Sequence, residues 1–250
     1  MKNSCLALLL FISTADYAQK GPVGVFDASE DIGNPMKAGS AKYDPVQGKY
    51  IIRGAGNNIW FNRDEFQFVY KKIIGDFILT ADFKFTGKKG NNHRKIGWMA
   101  RQSLDESSSS MNAVVHGDGL TVLQWRPSKG DFMRDPQDEI FFPEKYFETI
   151  QFQRSGKTMS MRIANSGQPL KLVGSHDMPD LPSELFAGLF LCSHDSSVVE
   201  EAVVWNVRIE SANAQQERLD ENNADSSAAE PRSAFIEITA SARKTDKKNN

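Results

Sequence analysis

The chain has 250 residues, of which 40% are hydrophobic, so it can bury a substantial core and is not disordered throughout. Its 30 basic and 32 acidic residues give a formal net charge of -2, which provides no phosphate-binding surface and argues against a nucleic-acid partner. The 16 Phe, 5 Tyr and 4 Trp recur in short runs rather than on long amphipathic faces, which favours strands over helices.

The first 18 residues have the pattern of an export signal. Lys2 supplies a positive charge, a short apolar run starts at Cys5, and Ala15 and Ala18 are small residues near a cleavage point. The run is too short to span a bilayer, and no other segment resembles a transmembrane helix. We expect a signal peptide over residues 1–18 and a periplasmic or extracellular mature protein that is not inserted in a membrane. The alternative for this segment is a buried N-terminal strand.

The sequence between residues 25 and 209 indicates about ten short strands, separated by turn-forming Gly, Asn, Asp, Ser and Pro. The predicted strands are 49–53, 66–70, 77–85, 95–101, 112–116, 120–126, 148–154, 158–164, 185–193 and 202–210. Hairpin turns are predicted at 116–119 and 155–157, because Gly and Asp tolerate positive φ. Turns this frequent are typical of a sandwich or barrel. We therefore predict an all-β fold, an antiparallel two-sheet β-sandwich over residues 22–210.

The composition changes after residue 210. Residues 211–231 contain almost no large apolar side chain, so this stretch cannot bury enough surface to order itself. We predict that residues 211–250 form a linker or disordered tail. Cys192 is the only cysteine left after signal cleavage, so an internal disulfide is excluded in the mature chain. It lies in an apolar run and is expected to be a buried core residue rather than a reactive thiol.

Several short motifs follow one another in a fixed order along the chain: Asn58-Ile59-Trp60, Gly97-Trp98-Met99-Ala100-Arg101, His116-Gly117-Asp118-Gly119, Leu123-Gln124-Trp125-Arg126 and Gly188-Leu189-Phe190-Leu191-Cys192-Ser193-His194-Asp195. Their order resembles the bacterial concanavalin-A-like (laminin-G-like) jelly-roll domains of unknown function. Those domains recur in secreted carbohydrate-related proteins, sometimes ahead of a TolB-type β-propeller. The resemblance covers residues 25–209. It implies a concanavalin-A-like jelly roll with a concave face and, in many relatives, sugar recognition.

The sequence shows no recognisable machinery of a glycoside hydrolase. The Glu-x-Asp-x-x-Glu signature of hydrolases with this fold is absent. The acidic pairs Asp105-Glu106, Asp138-Glu139 and Glu200-Glu201 are adjacent in sequence, so on a strand their two members would point to opposite faces. We expect them to be solvated loop acids. An enzyme is therefore the less favoured class.

The sequence predicts no cofactor, with calcium as the alternative. The four histidines lack zinc-ligand spacing, and a composite zinc site would need three or four converging ligands. Calcium prefers carboxylate and carbonyl oxygens in an irregular loop. Asp27, Glu30 and Asp31, with a late turn near Asn206, could supply them, but an ordinary acidic surface loop explains the same residues.

Polar side chains inside the predicted strands are the best candidates for a binding site. Alternation places Gly97, Met99 and Arg101 on one face of their strand, and Gln124 and Arg126 on one face of theirs. Sugars are bound by hydrogen bonds to hydroxyls and by aromatic platforms, which such residues provide. The predicted ligand-binding residues are Trp98, Arg101, His116, Gln124, Arg126 and His194. A solvated outer face with paired charges is the alternative.

The function that these features favour is an exported, non-catalytic carbohydrate-binding module with a polysaccharide or glycan ligand. One alternative is a glycoside hydrolase or polysaccharide lyase that uses the same concave groove. Another is a protein-docking or structural domain. The sequence does not indicate an oligomeric state.

Overall fold

The computed structural model describes residues 21–211, and this part of the chain folds into strands without a helix. None of it forms a helix long and apolar enough to cross a membrane. The strands in chain order are β1 Ala28–Ile32, β2 Ser40–Asp44, β3 Lys49–Gly56, β4 Ile59–Trp60, β5 Arg63–Asp64, β6 Phe66–Ile74, β7 Phe77–Phe85, β8 Lys95–Arg101, β9 Ser110–His116, β10 Thr121–Arg126, β11 Glu139–Phe142, β12 Thr149–Ser155, β13 Thr158–Ala164, β14 Lys171–Asp177, β15 Glu184–Cys192 and β16 Asp195–Ser211.

The strands form two large antiparallel sheets that pack as a sandwich. The sheet with the order β1-β6-β15-β8-β9-β10-β11 is called the front sheet, and the sheet with the order β14-β13-β12-β7-β16-β3-β2 is called the back sheet. The two short strands β4 and β5 pair only with each other and form a small hairpin. The predicted all-β fold, an antiparallel two-sheet β-sandwich, is confirmed.

The main core lies between the two sheets. From the back sheet, Phe77, Leu79, Ala81 and Phe83 of β7 point into it, as their alternation predicts. From the front sheet, Trp98 enters the core, and its ring lies 5.9 Å from that of Phe83, edge to face. Fully burying side chains of this kind stabilises a fold by about 1.5–3 kcal/mol each.

A second apolar layer covers the outer face of the front sheet. Its members alternate with core residues along the same strands: Ile32, Ile59, Phe66, Phe68, Met99, Val114, Val122, Phe190 and Cys192. Ile59 comes from the β4–β5 hairpin, which lies over this face. Because both faces are covered, β8, β9 and β10 are buried along their whole length. The predicted burial of Cys192 as a core residue is confirmed.

All ten predicted strands are present, and β7, β8 and β13 have the predicted bounds. The two predicted hairpin turns join β9 to β10 and β12 to β13, with positive φ at Gly119 and Gly156. Six strands were not predicted, and they are short or exposed: β1, β2, β4, β5, β11 and β14. The predicted signal peptide and, apart from Ser211, the predicted tail lie outside the described residues.

Candidate functional site

The outer face of the front sheet carries polar residues at both ends of its central strands. β8 and β9 pair antiparallel, so Lys95 lies opposite His116 at one end, and Arg101 lies opposite Ser110 at the other. β10 continues the row, with Arg126 also opposite Ser110. The two ends have different surroundings: the arginine end is covered by the β4–β5 hairpin, and a pocket opens at the lysine end.

At the arginine end, Arg101 and Arg126 share one carboxylate, Asp64, which ends the β4–β5 hairpin. Arg126 donates to both oxygens of Asp64, at 2.5 Å to Oδ1 and 2.7 Å to Oδ2, and Arg101 Nη2 lies 3.5 Å from Oδ2. All three side chains are 0% exposed. We call Asp64, Arg101 and Arg126 the ion triad.

Most of the remaining donors of the ion triad are also engaged, and Arg101 Nε is the buried exception. Arg126 donates to the carbonyl oxygens of Ser108, Phe61 and Asp131, and Arg101 to that of Asp105. Burial lowers the pKa of Arg101 to about 10, and the neighbouring Asp64 charge opposes that shift. The shared face predicted for Arg101 and Arg126 is confirmed. The open cleft expected around them is not present, because the hairpin of the same chain covers them.

The predicted Trp98 is also placed away from solvent. It points between the sheets, and its indole Nε1 donates to the carbonyl oxygen of Ile150 at 3.2 Å. Trp125 likewise points inward and stacks on His176, with ring centroids 3.9 Å apart. Trp98 therefore cannot act as an open platform for a ligand, because the alternation that places Arg101 outward turns Trp98 inward.

At the lysine end, a pocket of about 300 Å³ opens beside the hairpin. We call it the histidine pocket. Three of the predicted residues, His116, Gln124 and His194, line it. The other lining residues are Asn58, Trp60, His93, Lys95, Leu120, Asp135, Glu139 and Phe141. Gln124 is held in place by the hydrogen bond from its Nε2 to the carbonyl oxygen of Ile59, at 3.0 Å. Ligand binding by His116, Gln124 and His194 stays a prediction.

His116 has unused hydrogen-bonding capacity. Its side chain is only 7% exposed, and neither ring nitrogen has a partner among the described residues. Burial, followed by the nearby Lys95 charge, lowers the pKa of His116 to about 3. The same two causes lower that of His194 to about 4, and its Nδ1 is also unpartnered. Both imidazoles are therefore neutral at pH 7, each with one donor and one acceptor nitrogen.

Lys95 is the buried cation of the histidine pocket. It is 4% exposed, and its ammonium donates to the amide oxygen Oδ1 of Asn58. Burial lowers its pKa from the ordinary lysine value. His93 lies close by, with its ring centroid 5.9 Å from that of His116 and 5.4 Å from that of His194. The pocket thus combines an ammonium, neutral imidazoles and side-chain amides.

Glu139 supplies an acid on the opposite wall. Burial, together with the charge of Asp135 and a hydrogen bond to it, raises the pKa of Glu139 to about 7. A carboxyl group that titrates near neutrality can both donate and accept a proton at working pH. Glu139 is therefore the acid of the histidine pocket whose pKa suits proton transfer near pH 7. Asp138, the residue before it, instead forms an ion pair with Arg134 at 2.8 Å.

Two of the acidic pairs are not the solvated loop acids that we expected. Asp138 is almost completely buried and accepts both the backbone amide and the guanidinium of Arg134. Glu200 is buried against Arg94 at 2.7 Å. Asp105 is exposed, as expected, and pairs with Lys129. Buried acids occur where an arginine lies close enough to pair with them, and sequence spacing does not reveal that proximity.

The proposed calcium ligands are engaged in hydrogen bonds within the protein. Asp31 accepts the amide of Gly39, Glu30 accepts the hydroxyl of Tyr70, and Asn206 donates to Asp82 in the back sheet. Within residues 21–211, no group of three or more His, Cys, Asp or Glu is spaced to hold a metal ion. The absence of a cofactor stays the prediction, and calcium stays its untested alternative.

Several pocket residues were missed by sequence reasoning, namely Asn58, Trp60, His93, Lys95, Asp135, Glu139 and Phe141. One of them had a usable signal. Lys95 lies two residues before Gly97 on the same strand, so alternation places it on the face already assigned to Gly97, Met99 and Arg101. The others come from loops, the hairpin and a short edge strand, where periodicity carries little information.

No family model and no curated protein matches the sequence. Among solved structures, the chain is similar to a functionally unknown protein from Saccharomyces cerevisiae, with 11% identity, a TM-score of 0.56, and coverage of 73% of this chain and 96% of that one. It is also similar to an alginate lyase of polysaccharide lyase family 7, with 8% identity, a TM-score of 0.43, and coverage of 68% and 81%. A GH43 protein from Bacillus licheniformis gives 9% identity, a TM-score of 0.47, and coverage of 73% and 39%. At these identities, the first of the three supports the sandwich fold and nothing more.

Proposed function

We propose that this protein is an exported carbohydrate-binding β-sandwich without catalytic activity, and that the histidine pocket receives a saccharide unit. The observation that carries the proposal is His116, whose two ring nitrogens are buried and unpartnered at an open pocket. A buried polar atom without a partner is unfavourable, and a ligand hydroxyl would satisfy it.

The other lining residues suit a sugar. Asn58, Gln124 and His194 offer amide and imidazole groups for hydroxyls. Trp60 and Phe141 lie at the same pocket, and Phe141 is 46% exposed, so an aromatic face is available for the apolar side of a sugar ring. Small-molecule sites combine apolar surface with a few polar groups in this way.

Calorimetry against a panel of plant, algal and host polysaccharides tests the proposal. We expect at least one glycan to bind, and His116→Ala to weaken that binding about two- to tenfold, the contribution of one neutral hydrogen bond. His176→Ala is the matched control, because His176 stacks on Trp125 and does not line the pocket. The proposal fails if no glycan binds, or if the two variants weaken binding equally.

A second candidate function, a hydrolase or lyase, is favoured by Glu139 alone. Its pKa of about 7 suits a general acid or base. However, Asp135 and Glu139 are hydrogen bonded to each other, whereas the two carboxyl groups that flank a glycosidic bond lie about 5 Å or more apart. Assays for new reducing ends or unsaturated products on a polysaccharide panel distinguish an enzyme from a binding module. Turnover by the wild-type protein that Glu139→Gln abolishes would show that the protein is an enzyme and overturn the non-catalytic proposal.

A further inference from the structure

We propose that the saccharide bound in the histidine pocket is an acidic one, and that its anionic group pairs with Lys95. This inference rests on the proposed function and narrows it to one class of ligand, in which a carboxylate or sulfate group is carried on the sugar. It follows from the way Lys95 is buried compared with the other deeply buried cations of the protein.

The other deeply buried cations have their positive charge or their donors satisfied within the chain. Arg126 is bidentate on Asp64, and Arg94 lies 2.7 Å from Glu200. Arg154 donates to four backbone carbonyl oxygens, those of Gly156, Leu181, Pro182 and Ser183. These arrangements follow the rule that a charge removed from water needs a counter-charge or a full set of hydrogen bonds.

Lys95 departs from that rule. Across residues 21–211, no carboxylate lies within 4 Å of its ammonium, and its one hydrogen bond goes to the neutral amide oxygen of Asn58. An ammonium has three N–H donors, so two are left for a ligand. Asn58 directly precedes the β4–β5 hairpin, and its backbone carbonyl accepts the amide of Glu65, so the amide that holds Lys95 belongs to an ordered segment.

Neither acid of the pocket forms an ion pair with Lys95. The charge of Glu139 interacts with that of Lys95, but Glu139 is hydrogen bonded to Asp135, and that neighbour favours its protonated form. The side chains that surround the ammonium are instead imidazoles: His116 lies opposite Lys95 in the strand register, with His93 and His194 beside it. A ligand anion at Lys95 would therefore meet a cation and imidazole N–H donors, with no carboxylate already paired to the ammonium.

The volume of about 300 Å³ is at the lower end of the range for small-ligand sites. It suits one sugar unit and its anionic group. Trp60 and Phe141 would contact the sugar ring, so a bare inorganic anion would leave the aromatic side of the pocket unused.

The experiment compares an oligosaccharide of hexuronic acids with its carboxyl-reduced, neutral counterpart of the same linkage, by calorimetry at low and high salt. We expect the acidic form to bind about tenfold to a hundredfold more tightly, as a charge-assisted hydrogen bond implies, and its advantage to shrink as salt is added. A sulfated oligosaccharide forms a third arm and shows which anion the pocket takes.

Lys95→Gln should reduce the preference for the acidic form to within about twofold, as expected when a charge-assisted bond is replaced by a neutral one. Lys84→Gln is the matched control, because Lys84 is exposed on the back sheet and should leave the preference unchanged. If Lys95→Gln does not fold, the comparison of the acidic and neutral oligosaccharides with the wild-type protein still decides whether the pocket prefers an anion.

The two proposals fail in different ways. Equal binding of the acidic and neutral sugars, with His116→Ala weakening both, would leave carbohydrate binding intact and overturn the preference for an anion. Binding of neither sugar, together with none from the wider panel, would overturn carbohydrate binding itself.

Discussion

Asp64→Asn should destabilise the protein strongly, because it removes the one carboxylate that two buried arginines share. Asp64 lies 2.5 and 2.7 Å from the nitrogens of Arg126 and 3.5 Å from Arg101 Nη2, and all three side chains are fully buried. Removing one partner of a buried ion pair costs about 3–5 kcal/mol, since the remaining charge has no counter-charge. For a domain of this size, that corresponds to a fall in Tm of about 6–20 °C.

Differential scanning calorimetry or thermal circular dichroism measures this shift. Glu184→Gln is the matched control, because it removes an acid from the half-exposed pair with Lys72 and should cost about 0–1 kcal/mol. A fall in Tm for Asp64→Asn no greater than that of the control would refute the reasoning. Restoration of part of the lost stability by Arg101→Met in the Asp64→Asn background would support it, because one uncompensated charge is then removed.

Two further predictions concern single buried groups. The pKa of His116 is lowered to about 3 in the folded protein, so below pH 6.5 the unfolded chain takes up a proton that the folded chain does not. Between pH 7 and pH 5, the free energy of unfolding in urea should therefore fall by about 2 kcal/mol more for the wild-type protein than for His116→Gln. Equal falls would contradict the burial of His116. Burial raises the pKa of the Cys192 thiol to about 11. In a chain that starts at Gln19 and so lacks Cys5, this thiol should therefore resist iodoacetamide at pH 8 in the native protein and react once the protein is denatured. Rapid labelling of the native form would show that Cys192 is accessible.

The sequence was sufficient for the fold because strand alternation is a local property. The runs at 77–85, 95–101 and 120–126 alternate clearly enough to show which residues share a face, including Leu79 with Phe83 and Gln124 with Arg126. Alternation depends only on neighbouring residues, so it is visible without any knowledge of the tertiary structure.

The candidate site could be predicted only in part, because the burial, pairing and pKa of its residues depend on contacts with residues that are distant in the sequence. Asp64 lies 37 positions before Arg101 and 62 before Arg126, and no local pattern indicates that the hairpin folds over both. For the same reason, Glu139 could not be recognised as an acid of raised pKa, since the burial that shifts it comes from tertiary contacts and a loop residue, Asp135.

The β4–β5 hairpin serves two places at once. Its last residue, Asp64, belongs to the ion triad, while Trp60 in its first strand and Asn58 just before that strand line the histidine pocket. Any local opening of the hairpin would break the bidentate pair between Arg126 and Asp64 and expose the buried Ile59 with the apolar layer beneath it, so opening is unfavourable. This wall of the pocket is therefore ordered in advance, so the binding that we propose would lose little free energy in ordering it.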